Sequence, residues 1–115
     1  MEAKDMVLCA ASAYERKFYL NDQFSALPQS IKDELQILCV MFTEDVGGVL
    51  TLIFDEDGSL DLLTSCDEED LLYDEIGSFL KIKQLRNKKS ELFEELELYY
   101  KVFVLGEEMD DDSLS

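Results

Sequence analysis

The stretch from Asp70 to Leu105, DLLYDEIGSFLKIKQLRNKKSELFEELELYYKVFVL, sets the tightest limit on what this chain can fold into. Its apolar residues recur at helical spacing: Leu72, Ile76, Phe79 and Leu80, then Ile82 and Leu85, then Leu92, Leu96, Tyr99 and Phe103. One straight helix over the whole stretch would run about 54 Å, whereas a compact domain of this length is roughly 35 Å across. Either the helix breaks or its projecting part pairs with another chain. The segment Arg86-Asn87-Lys88-Lys89-Ser90-Glu91 holds no apolar residue and gathers bases before a new Ser-Glu start, so a break belongs there. A continuous helix paired through Leu85, Leu92, Leu96, Tyr99 and Phe103, with Lys89 as the one polar position, keeps the same spacing and stays open as the alternative.

The rest of the chain reads as material to cover this stretch. Met6–Ala11 and Glu15–Leu20 have strand length and composition and are joined by a short turn. Pro28 opens a helix, Ser30 with Asp33 resembles a capping box, and Ile31, Leu35, Leu38, Phe42 and Val46 form one amphipathic face. Gly47-Gly48 stops that helix. Val49–Phe54 is apolar on both alternating faces, as in a strand inside a sheet, and Leu60–Leu62 alternates as nearer an edge. Asp57-Gly58 between them is the signature of a type I′ hairpin. The acids Asp67 to Asp70 suit a helix N-terminus, and Gly77 within the following helix implies a close approach of another backbone.

These readings give an α+β fold: a small antiparallel sheet of about four strands in ββαββα order. It is packed by one amphipathic helix and a long C-terminal helix, with the break near residues 86–90. At 115 residues there is room for one domain, expected over 1–106, with the acidic 107–115 as a disordered tail.

Charge decides which functions fit. Residues 41–75 hold 12 acids and no base, within a chain of net charge −17. That sign disfavours direct contact with nucleic acid or an anionic membrane surface, and no apolar run is long enough to span a bilayer. With no secretory pattern at the start and three widely spaced cysteines, Cys9, Cys39 and Cys66, the chain reads as cytoplasmic with reduced thiols. The absence of histidine removes the usual general base and the Ser-His and Cys-His couples. Cys66 is placed before a helix start, but the four acids after it disfavour a thiolate. The run from Asp55 to Asp61 has alternating acids yet lacks the glycine and final acid of a calcium loop. No cofactor is implied and no residue stands out as catalytic.

The segments LQILCVMFTEDVGGVLTLIFDEDG, LLYDEIGSFLKIKQL and ELFEELELYYKVFVLGE together resemble a family of small acidic clostridial proteins classed as a domain of unknown function. The resemblance spans about residues 6–106 and implies neither an activity nor site residues. Three expectations remain. The first is a non-enzymatic protein-interaction module, with a homodimer through the 82–105 surface at Leu85, Leu92, Leu96, Tyr99 and Phe103, or an unknown, basic protein partner. The second is an acidic decoy for a basic nucleic-acid-binding protein. The third is a magnesium-dependent enzyme using the acids at 67–75.

Overall fold

The computed structural model describes residues 5–106. The expected acidic tail at 107–115 lies outside the described residues. Four antiparallel strands, β1 (Met6–Ser12), β2 (Lys17–Leu20), β3 (Val49–Phe54) and β4 (Leu60–Ser65), form one sheet in the order β2-β1-β3-β4. The helices are α1 (Gln29–Val46), α2 (Glu75–Lys88) and α3 (Ser90–Tyr99), the last running into a π-helical turn at Tyr100–Val104. The α+β class and the ββαββα order are therefore those read from the sequence, with the final helix divided in two.

Alternation in β3 puts Leu50, Leu52 and Phe54 on the face that the helices cover, with Val49, Thr51 and Ile53 on the other. On the covered side Cys9 meets α1, its Sγ lying 3.9 Å from Cys39 Sγ. Phe54 stacks on Tyr100 at a centroid distance of 4.2 Å, and Phe24, buried in a 3-10 turn at Asp22–Phe24, packs on both rings. Three separate segments thus share one aromatic cluster, and its burial helps hold the turn after α3 on the sheet. Across the opposite face one row of the register runs Tyr19, Ala10, Thr51 and Leu63, of which Tyr19 and Leu63 are exposed.

Local chemistry differs from the sequence reading at five points. A bulge at Leu8 turns two neighbours, Leu8 and Cys9, into the core. Asn21 satisfies it, its backbone N–H bonding Leu8 O and its Nδ2 bonding Val7 O at 2.8 Å. Ser30 lies inside α1 and forms no capping box; Asp33 accepts from Gln29 Nε2 instead. The β3–β4 turn is not type I′, because Gly58 alone has positive φ there. Asp55 supplies the second constraint, its Oδ1 accepting from the backbone N–H of Asp57 and of Ser59.

The remaining two points concern α2. It begins at Glu75 rather than among the acids 67–70, and its N-cap is Asp74, whose Oδ1 accepts from Gly77 N at 2.8 Å. A Cβ at Gly77 would meet the capping Asp74 carboxylate, which would have to shift, and the atoms nearest that position belong to this side chain rather than to another backbone. The start is fixed by Tyr73, which lies over Gly47-Gly48 and donates its hydroxyl to the buried Ser78 Oγ at 2.8 Å. Asp74 N also bonds Val46 O at 3.2 Å, so the end of α1 and the start of α2 are held together.

At the other end of α2 the break falls on Lys89, with φ −111° and ψ 25°. Its N–H still reaches Leu85 O and its carbonyl still receives Phe93 N, so the helix turns without orphaning either group. Beyond the break Leu92, Phe93 and Leu96 are buried, and Glu97 on α3 accepts from Leu60 N at 2.8 Å, joining α3 to the first residue of β4.

Gly48 is the position where the fold tolerates no side chain: φ is +73°, and a Cβ would lie 2.5 Å from Ser65 O and 2.7 Å from the Tyr73 ring. Gly48→Ala is expected to lower unfolding free energy by more than the roughly 1–2 kcal/mol of the left-handed backbone alone. Gly106→Ala, at φ +77° with nothing within 4 Å, carries only that backbone cost. Urea denaturation of both variants checks this, with Gly48→Ala the more destabilised.

Candidate functional site

α1 presents Asp33, Ile37, Met41 and Asp45 at spacings of four, a single row along the helix. None of them is needed by the core, which takes Leu35, Leu38, Cys39, Phe42 and Val46 from other faces. Ile37 and Met41 are 59% and 57% exposed, an uncommon state for two large apolar neighbours one turn apart. Beside this row runs α2, and between the helices lies an apolar-floored groove of about 610 Å³ lined by Ile37, Leu38, Met41, Phe42 and Leu85. Two ion pairs span it, Lys81 Nζ to Asp45 Oδ2 at 2.8 Å and Lys89 Nζ to Glu34 Oε2 at 2.7 Å. Both pairs are partly exposed, so they set register more than they add stability.

On α2 the apolar stripe read from the sequence faces outward. Leu72 is 92% exposed in the loop before the helix, and Ile76, Phe79 and Leu80 are 75%, 64% and 53% exposed. Only Ser78 is buried on this helix, while Ile82 and Leu85 pack partly against the core. Arg86 reaches Asp61 on β4 at 3.6 Å, which anchors the far side of α2 to the sheet edge. The sequence reading put the interface at Leu85, Leu92, Leu96, Tyr99 and Phe103 and gave this stripe no surface role, whereas the stripe is the more exposed of the two sets.

The five residues expected to form an interface are accordingly scattered. Leu92 and Leu96 are 7% and 1% exposed and sit in the core. Leu85 and Tyr99 are half-buried against it, and Phe103 is 72% exposed, with its ring 4.9 Å from that of Tyr99. A partner meeting all five together would have to open the core. The surface residues that sequence reasoning missed are Ile37 and Met41; their helical offset from Leu38 and Phe42 was the available signal.

The acids at 67–75 form a tethered turn. Tyr14 donates its hydroxyl to Asp70 Oδ2 at 2.5 Å and accepts from Asp67 N at 3.0 Å, while Asp70 Oδ1 accepts from Leu72 N. The Asp70 carboxylate holds the Tyr14 phenol above its ordinary pKa. Asp74 is occupied as a helix cap. Among the described residues no three or more His, Cys, Asp or Glu side chains are grouped to hold a metal ion, so no carboxylate set gives the magnesium reading a geometric basis.

The other shifted groups are core groups. Tyr100 is raised mainly by burial, and Cys9 is raised by its hydrogen bond with Cys39 and then by burial. Cys9 and Cys39 are fully buried, whereas Cys66 is exposed in the loop after β4. Among the described residues no helix is long and apolar enough to cross a membrane.

The fold and the groove together define a small α+β domain that spends its third helix on its core and turns its second outward. Residues 5–108 match a family of unknown function (DUF6145), and the chain belongs to that family. Comparison with curated proteins and with solved structures returned no match.

Titration of the native protein with an aromatic disulfide reagent is expected to modify Cys66 alone, with Cys9 and Cys39 reacting only after denaturation. Rapid reaction of more than one thiol in the native state would contradict the buried pair.

Proposed function

We propose that this chain is a non-enzymatic protein-interaction module, acting in the cytoplasm, whose docking surface is the α1–α2 face. One observation carries the reading: Ile37 and Met41 on α1, both more than half exposed, line a groove floored by Leu38, Phe42 and Leu85, and α2 beside it carries further exposed apolar residues in Ile76, Phe79 and Leu80. A monomer that kept such a patch wet would forgo the burial that drives association, roughly 25 cal/mol for each Å² covered. The groove is open and elongated along two helices, which suits recognition of a helical surface rather than enclosure of a small molecule. The shifted ionisable groups, Cys9, Tyr14 and Tyr100, are explained by local contacts and burial, which favours a binding role over acid–base chemistry.

The surface differs from the one expected over residues 82–105, because Leu92 and Leu96 serve the core. The decoy reading draws on the base-free region 41–75, but the α1–α2 face mixes both charge signs around apolar residues, which suits a specific docking surface better than a general polyanion.

The test compares affinity capture by wild type, Met41→Asp, Leu80→Asp and Leu63→Asp, each first checked for an unchanged far-ultraviolet spectrum. The first two variants are expected to lose a bound protein by at least about tenfold, as for a central apolar contact, while Leu63→Asp on the opposite sheet face retains it. An identical bound set for all four proteins would remove the α1–α2 face as a docking site for a different protein.

A further inference from the structure

The walls of the groove carry opposite charges. On α1 these are Asp33, Glu34 and Asp45, and on α2 Lys81, Lys88 and Lys89. The segregation runs against composition, since five of the ten bases in this acidic chain fall between residues 81 and 89. The two ion pairs also fix levels along the groove: Asp45 stands level with Lys81 and Glu34 with Lys89. α1 and α2 are therefore antiparallel, with Asp45 and Glu34 each level with a base on the other wall.

Resting on the docking reading above, we propose that the occupant of this face is a second copy of the chain, related by a two-fold axis that runs parallel to the helices. A two-fold contact is self-complementary, so the pattern of one copy dictates that of its partner. When the axis lies along the helices, α1 of each copy faces α2 of the other and heights are preserved. Asp33 then approaches Lys88 of the second copy, Asp45 approaches its Lys81, and both contacts occur twice. The exposed Ile37, Met41 and Leu80 are covered between them. When the axis lies across the helices, α1 meets α1 and α2 meets α2, which sets acid against acid and base against base. Like charges held together at an interface oppose association, so the charge pattern selects the first arrangement. Beyond the contact, each copy's net charge of −17 acts over a screened distance of about 8 Å at physiological salt, while the apposed pairs act at shorter range.

Sedimentation equilibrium of the full chain, from low micromolar to submillimolar concentration, is expected to show a monomer–dimer equilibrium. Met41→Asp weakens it by at least about tenfold. Asp33 and Lys88 take no part in the two pairs that span the groove, which makes them the informative charge reversals. Asp33→Lys and Lys88→Glu each weaken self-association several-fold, and an equimolar mixture of the two variants associates as tightly as wild type. Strengthening by Asp33→Lys would mean that α1 faces α1, and overturns the assignment of the axis. A dimer insensitive to Met41→Asp but broken by Leu63→Asp places the contact on the open sheet face and overturns the inference. A monomer at every concentration also overturns it, while the docking reading is then judged by the capture comparison, whose readout is a different bound protein.

Discussion

The break at Lys89 is the constraint on which the arrangement depends. An unbroken helix from Glu75 to Tyr99 would carry α3 on in line with α2, whereas beyond the break Leu92, Phe93 and Leu96 are buried in the core. One residue with φ −111° and ψ 25° frees α3 from that line. The turn costs little because Lys89 keeps both of its backbone hydrogen bonds and its ammonium is paired with Glu34 on α1. The same lysine therefore ends one helix, starts the next and holds the first against its neighbour.

From that break follows a division of labour between two helices of similar apolar content. α3 inserts Leu92, Phe93 and Leu96 into the core and delivers Tyr100 to a stacked contact with Phe54. α2, tied at its start by Tyr73, Ser78 and Asp74 and at its side by Arg86, is held firmly yet buries little. Ile82 and Leu85 pack it partly against the core, while Ile76, Phe79 and Leu80 stay outward. For the docking role proposed above, exposed apolar side chains on an already folded helix leave less ordering to be done on binding.

Much of this was legible in the sequence. Short apolar runs bounded by turn residues placed the strands, the spacing of Ile31, Leu35, Leu38, Phe42 and Val46 placed α1, and the lack of apolar residues at 86–91 located the break. What was not legible depends on contacts distant in the chain. Phe24 lies in an irregular segment without periodicity, and its burial is decided by Phe54 and Tyr100. The start of α2 is decided by Tyr73 on Gly48, and the bulge at Leu8 by Asn21. The burial of the expected interface residues was not legible for a related reason. An apolar stripe at helical spacing is the same pattern whether it faces a core or a partner, so Leu92 and Leu96 could not be told from Ile76 and Leu80 before the packing was known.

The central claim is that α3 builds the core while the α2 stripe is spare. It is tested most directly by measuring unfolding free energies of Leu96→Ala and Leu80→Ala in denaturant, at a protein concentration low enough that association does not contribute. Leu96→Ala is expected to cost about 2–5 kcal/mol, and Leu80→Ala to remain within about 0.5 kcal/mol of wild type. Equal losses for the two variants, or a larger loss for Leu80→Ala, would contradict the division between the helices.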